Sequence, residues 1–212
     1  ALATLGSGLI VHWFAAAVFL ILAVIVFKLR ETTPNLAGAT QPVMVQAAKG
    51  KNIYRSPYLW MICFLILVYV GVEYGSGSWI STFMGATTGM VEKNGALVTS
   101  AYWAALTVGR LAGAAAGGRL GHTRLLLLAI LGSLIGSILF VFGIENVAFS
   151  ICAIILLGFA FGTIYPTSVA VTVSAFPADQ GKAVGLLAAM GSIGGLSLPW
   201  LAGVLLENTS PL

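Results

Sequence analysis

The chain has 212 residues, of which 59% are hydrophobic and only 8% are charged. Soluble domains carry about 25% charged residues, so this composition excludes an ordinary soluble protein and indicates an integral membrane protein. The net charge of +4 does not indicate a nucleic-acid partner, because the basic residues lie at the ends of apolar runs without interleaved aromatic residues.

Six apolar runs are each long enough to cross a bilayer, which requires about 20 residues of helix. We predict transmembrane helices over residues 5–27, 58–84, 96–116, 125–142, 147–173 and 183–206. The expected fold is therefore an all-α polytopic membrane helix bundle with six transmembrane helices. Residues 29–57 are polar and contain three prolines, and we predict that they form a linker between residues 1–28 and residues 58–212.

Lys and Arg residues predict the orientation of the chain. The linker side carries Lys28, Arg30, Lys49, Lys51, Arg55, Arg119, Arg124 and Lys182, and the opposite side carries Lys93. Short cytoplasmic loops are enriched in Lys and Arg, so we expect the linker to be cytoplasmic and both ends of the chain to be external.

Glu73 is the acidic residue that the spans place at membrane depth. An acid within a span is costly, and it is by default a candidate for an ion or solute pathway. Helical spacing places Tyr69, Ser76 and Gly77 on the same face. A carboxylate removed from water binds a proton more readily, which would let Glu73 couple an ion to a conformational change. A purely structural hydrogen-bonded carboxylate is the alternative.

An aromatic and hydroxyl stripe in the fifth span is a second candidate site. Phe161, Tyr165, Ser168 and Thr172 recur on one helical face, and such groups bind a polar uncharged ligand such as a sugar. Helix packing is the alternative explanation of this stripe. Trp79, on the second span, is a further candidate for the cavity wall.

Arg110 is a cation within the third span, near its predicted cytoplasmic end. Because Arg facing lipid is costly, we expect Arg110 to face protein, a cavity or the lipid headgroups. A side chain that extends to the headgroups for purely structural reasons is an equally good interpretation.

Small residues four apart predict close helix packing. The glycine sets with this spacing are Gly71 and Gly75, Gly109, Gly113 and Gly117, Gly132 and Gly136, Gly158 and Gly162, and Gly191 and Gly195. Two prolines inside spans, Pro166 and Pro199, free backbone carbonyls and permit bends.

Enzymatic and metal-binding motifs are not found in the sequence. His12 and His122 each lack a second ligand at metal spacing, and Cys63 and Cys152 lie within apolar runs as small core residues. No HExxH motif occurs and no protease-type serine motif lies in a span. We therefore expect no catalytic residues, no metal and no cofactor.

Four segments resemble the major facilitator superfamily. Residues 109–113 (GRLAG) with 118–124 (GRLGHTR) are similar to its repeated turn between the second and third helices of each half. Residues 69–83 (YVGVEYGSGSWISTF), 158–167 (GFAFGTIYPT) and 185–200 (GLLAAMGSIGGLSLPW) resemble the first, fourth and fifth helices of the C-terminal half. The similarity is to sugar-type members related to fucose permeases and sodium-dependent glucose transporters.

This resemblance implies a secondary transporter whose two six-helix halves rock around a central site. Residues 1–28 would then be the last helix of the N-terminal half, and the final helix of the C-terminal half would be missing. Arg110, Arg119 and Arg124 would belong to a cytoplasmic gating turn. The family places an acid before the basic residue of that turn, whereas here Gly121 precedes His122.

The sequence thus predicts a carrier of a small polar solute, a sugar, that is either coupled to protons or sodium through Glu73 or a facilitator without coupling. A membrane scaffold or receptor-like half and a drug-extruding carrier of the same fold are the alternatives. The chain begins at Ala1, and we expect a fragment that requires an N-terminal half as its partner. The expected location is the bacterial inner membrane or a plasma membrane.

Overall fold

A computed structural model of the protein describes residues 17, 20–24, 27–28, 53–143 and 146–209, with side chains described as far as residue 205. Five long helices occupy this part of the chain: α1 (Pro57–Thr88), α2 (Glu92–Leu120), α3 (His122–Phe142), α4 (Val147–Ala175) and α5 (Gln180–Thr209). A short 3-10 helix, Ile53–Arg55, precedes α1. The predicted all-α fold is confirmed for these residues.

The predicted first span is described only in part. Residues 17, 20–24 and 27–28 are helical, and the other residues of the span 5–27 lie outside the described residues. Residues 29–52 of the predicted linker also lie outside them.

Local sequence signals explain where the helices begin and end. The Ser56 hydroxyl accepts a hydrogen bond from the Leu59 backbone N–H at 3.4 Å, and Pro57 occupies the first turn of α1. The Asn146 side chain caps α4 in the same way through the Phe149 N–H at 3.1 Å. At its other end α1 terminates at Gly89, which has the left-handed φ of 67° that favours glycine.

Four of the described helices are long and apolar enough to cross a membrane: Pro57–Thr88, His122–Phe142, Val147–Ala175 and residues 180–205 of α5. The remaining helix, α2, has length for a span but is rich in Ala and Gly and includes Arg110 within its apolar part. Its buried residues recur every three or four positions, in the order Gly95, Val98, Tyr102, Leu106, Gly109 and Gly113. This spacing gives α2 one continuous face against its neighbours.

Glycines set the closest helix contacts, as their spacing predicts. A Cβ atom on Gly109 would meet the backbone carbonyl of Phe159, and one on Gly162 would meet the carbonyl of Leu106, so the α2 and α4 backbones touch. Gly194 lies against the carbonyl of Leu67 and makes the equivalent contact between α5 and α1. The most extensive pairs of the bundle are α1 with α5, α2 with α4 and α3 with α4.

Large apolar side chains are also exposed on the outer surface of the bundle. Leu196 and Trp200 of α5 are 77% and 69% exposed, and Leu111 of α2 is 68% exposed. Apolar residues on this scale suit contact with lipid or with another membrane helix. The two helices that carry them, α2 and α5, are therefore candidates for such contacts.

Candidate functional site

Glu73 lies near the middle of α1 and is buried, with only 3% of its side chain exposed. The apolar run before it and the packing of α2 against α1 remove the carboxylate from the outer surface. A buried acid needs a charged or hydrogen-bonding partner, because an isolated carboxylate in an apolar environment is strongly unfavourable.

Arg110 of α2 supplies that partner. Its Nη2 atom donates a hydrogen bond to Oε1 of Glu73 at 3.3 Å, while 52% of the Arg110 side chain stays exposed. The structure therefore places Arg110 against protein at the depth of the acid, rather than with the basic turn at the end of α2. The sequence left open whether Arg110 faces protein, a cavity or the lipid headgroups. Arg110 contacts protein because the buried carboxylate attracts the guanidinium.

Two tyrosines hold the helices together at the level of Glu73. The Tyr102 hydroxyl of α2 donates a hydrogen bond to the backbone carbonyl of Glu73 at 3.0 Å. The Tyr69 hydroxyl donates to the carbonyl of Phe161 in α4 at 2.8 Å and also interacts with the Glu73 carboxylate one turn away. Both tyrosine side chains are fully buried. The carboxylate is consequently enclosed by two buried tyrosines, while its hydrogen bond comes from Arg110 of α2.

Aromatic rings surround the acid with well-defined packing. The Phe161 ring meets Tyr69 and Tyr102 edge to face, with ring centroids 5.6 and 6.4 Å apart. The Trp103 ring packs against Tyr102 and lies over Gly77, where no side chain keeps it away from α1. The predicted position of Gly77 on the Glu73 side is thus explained by packing of Trp103.

The aromatic and hydroxyl stripe predicted in the fifth span lies on α4 and is largely packed inside the bundle. Phe161, Ser168 and Thr172 are fully buried, and Tyr165 is partly exposed beside Gly191 of α5. The Thr172 hydroxyl donates to the Ser168 carbonyl within its own helix at 2.8 Å. These contacts agree with the packing interpretation for most of the stripe and leave Tyr165 the more accessible member.

Trp79, another predicted wall residue of α1, contacts α5. Trp79 donates its indole N–H to the Pro199 carbonyl of α5 at 3.4 Å, and its ring lies next to Gly203. Ser76 is partly buried. The structure therefore gives Trp79 a role in joining α1 to α5.

The basic turn lies apart from the ion pair. Arg119 and Arg124 are exposed at the junction of α2 and α3. Gly121, between the two helices, has φ of 76° and ψ of 148°, a backbone conformation that residues with a Cβ rarely adopt. The conformation of the turn accounts for glycine at the position before His122.

Tyr102 is the member of the site that sequence reasoning missed. Arg110 is the only site candidate that the sequence suggests on this span, because a charged residue at membrane depth is the more conspicuous signal. The glycines give the better signal, since Tyr102 lies seven residues before Gly109 and eleven before Gly113, on the face that packs against α4. Counting helical turns back from those glycines identifies it.

The arrangement can hold a proton or a charged group. A carboxylate and a guanidinium in contact carry no net charge together, and adding or removing a proton at Glu73 changes that balance. Among the described residues no group of three His, Cys, Asp or Glu side chains is arranged to bind a metal ion.

Ser168 provides a stability prediction because its buried hydroxyl has no hydrogen-bond partner among the described residues. Replacing Ser168 by Ala should raise the free energy of unfolding by about 1 kcal/mol, since it removes an unsatisfied polar group. The matched control is Ser150→Ala, which removes a bond to the Gly143 carbonyl at 2.9 Å and should lower stability by a similar amount. Thermal unfolding in detergent compares the two variants, and a lower melting temperature for Ser168→Ala would contradict the assignment.

Comparison with known proteins gives a family match and a distant relative. The family described as Major Facilitator Superfamily matches residues 84–211, which is more than half of the chain. "Bypass of stop codon protein 6" of Saccharomyces cerevisiae is 24% identical over 195 residues, covering 83% of this chain and 38% of that protein. The chain therefore spans well under half the length of this relative. No solved structure matches the chain.

Proposed function

Because the chain belongs to the Major Facilitator Superfamily, we propose that it forms the C-terminal part of a secondary transporter for a small polar solute, a sugar. Transport is coupled to protons or sodium through Glu73. The observation that carries the proposal is the buried Glu73 carboxylate paired with a half-exposed Arg110 in the middle of the helix bundle.

The position and the surroundings of Glu73 support a coupling role for this residue. A structural carboxylate would be expected to have partners that enclose it and its counterion together. Here Tyr69 and Tyr102 enclose the acid, whereas its counterion Arg110 stays half-exposed. Charged groups at membrane depth that are open on one side commonly line solute or ion pathways.

The sugar assignment rests on the resemblance of three helices to sugar-type members and on hydroxyl and aromatic residues of α1 and α4. Tyr165 remains partly exposed on α4, and Ser76 and Trp79 are partly buried on α1. Hydroxyl and aromatic groups of this kind hydrogen-bond and stack with sugars.

The proposed partners are the lipid bilayer and an N-terminal half of the same transporter. The exposed apolar side chains of α2 and α5, which include Leu111, Leu196 and Trp200, supply a surface for them. The protein is an integral membrane protein, and we assign it to the bacterial inner membrane or a plasma membrane.

Uptake by the complete protein in proteoliposomes tests the proposal. Hexoses, pentoses, polyols and hexuronates are offered with an inward proton gradient, an inward sodium gradient or neither. We expect accumulation of at least one solute above its external concentration with one of the gradients. Absence of uptake of every solute by correctly folded protein would overturn the transporter proposal in favour of a non-transporting membrane scaffold.

A further inference from the structure

The Glu73–Arg110 pair has one closed side and one open side. Only 3% of the Glu73 side chain is exposed, against 52% of the Arg110 side chain. A guanidinium group carries five N–H donors, and the bond from Nη2 to the Glu73 carboxylate uses one of them. Among the described residues, Glu73 accepts the hydrogen bond that the Arg110 side chain donates. The other N–H groups of the guanidinium belong to the exposed half of that side chain.

That open side lies at the depth of the middle of α1, because Arg110 reaches the carboxylate of Glu73 from the neighbouring helix. An arginine with unsatisfied donors is strongly unfavourable against hydrocarbon, whereas a water-filled path or a bound polar group satisfies it. The open donors therefore need an acceptor from outside the described residues, and a solute or water can bring one.

We propose that Arg110 binds an anionic group of the solute, so that the transported class is a sugar acid rather than a neutral sugar. This inference rests on the transport function proposed above and narrows its substrate. The planar guanidinium matches the two oxygens of a carboxylate in geometry and charge, which gives it a preference for anions over hydroxyl groups.

Charge balance then assigns a proton to Glu73. A solute carboxylate beside Glu73 and Arg110 would give two negative charges and one positive charge in the enclosed site. One proton from the entry side, bound to an oxygen of Glu73, restores neutrality and breaks the bond between Oε1 and Nη2. The guanidinium is then free for the solute, and proton and anion leave together on the other side. No net charge crosses the membrane.

The groups that face Glu73 allow this exchange. Tyr69 faces it from its own helix, and Tyr102 and Arg110 face it from α2. The α4 contribution at this level is the Phe161 ring, which packs against the two tyrosines. The α5 contribution is apolar, since Leu198 and Pro199 lie against Gly71 and Gly75 of α1. Among the described residues, no second carboxylate forms an ion pair with Arg110.

The test uses matched solutes that differ in one carboxylate: glucuronate with glucose, and galacturonate with galactose. The complete protein is reconstituted, and labelled uptake and equilibrium binding are measured. We expect uptake of a hexuronate without its hexose, one proton entering per anion, and no response of the rate to an imposed membrane potential.

Variants of the two charged residues distinguish solute binding from a structural pair. Arg110→Gln should weaken hexuronate binding about 10- to 100-fold, since a hydrogen bond to a charged group is lost. Glu73→Gln, which imitates the protonated acid, should keep binding and make it independent of pH. A structural pair predicts instead that both variants lose binding together with folding.

Two further variants serve as controls for folding and for charge. The double variant Glu73→Gln with Arg110→Gln leaves no unpaired charge, and it should fold and fail to bind hexuronate even where Arg110→Gln alone does not fold. Lys93→Gln removes an exposed cation from the start of the same helix and should bind like the unaltered protein.

The outcomes separate this inference from the function on which it rests. Uptake of a neutral hexose that the double variant leaves intact would overturn the anion assignment and leave the transporter proposal standing. Absence of uptake of all four solutes and of the wider solute panel by folded protein would overturn both.

Discussion

Replacing Glu73 by Gln is expected to abolish ion-driven accumulation of the solute while the protein still inserts and folds. The amide keeps the size of the side chain, but it cannot release or take up a proton. Solute then moves only down its own gradient, and its internal concentration rises no further than the external one. The loss of accumulation should be complete, because one group carries the coupling.

The measurement is uptake into proteoliposomes with and without an imposed ion gradient. Glu92→Gln is the matched control, because Glu92 is an exposed acid at the start of α2 and is removed from the ion pair. It should accumulate solute as the unaltered protein does. Exchange of labelled solute across the membrane should continue in Glu73→Gln, which shows that the site still binds. Undiminished uphill accumulation by Glu73→Gln would refute the coupling role.

Replacing Gly162 by Leu is expected to prevent formation of the native bundle. A Cβ atom at Gly162 would meet the Leu106 carbonyl and would approach the Arg110 backbone nitrogen at 2.7 Å. These are backbone atoms of a helix, so they cannot move aside as a flexible side chain would. Overpacking costs about 1 to 3 kcal/mol in ordinary cores, and the cost should be higher where two backbones touch.

Gly185→Leu provides the control for this substitution. Gly185 lies within α5, and a Cβ atom there meets nothing within 4 Å. Size-exclusion chromatography of detergent-extracted protein should show a monodisperse peak for Gly185→Leu and aggregated or absent protein for Gly162→Leu. A normal peak and an unchanged melting temperature for Gly162→Leu would contradict the observed contact between α2 and α4.

The helix positions were largely predictable because apolar runs and capping residues are local signals. The run predicted over 58–84 corresponds to α1, Pro57–Thr88, and its start is explained by Ser56 and Pro57. Most glycines with the predicted spacing do lie at helix contacts. Which helix each glycine touches was not predictable, since the contact between Gly109 and Phe159 depends on how far α2 and α4 are displaced along each other.

The same limit applies to the candidate site. The cost of burying a charge identified Glu73 as a residue that needs a partner, and the same argument required shelter for Arg110. Their pairing joins residues 37 positions apart on two helices, and no local pattern encodes that distance. Ser168 and Thr172 have the side chains of a sugar site, yet both are fully buried in the bundle.

The two tyrosine hydrogen bonds fasten α1, α2 and α4 to one another at a single height. Each bond joins α1 to one of its neighbours, so neither α2 nor α4 can move away from α1 at this height without losing a buried hydrogen bond. We therefore expect an opening that admits a solute to form at a boundary outside these three helices, with Glu73 and Arg110 remaining on the same side of it.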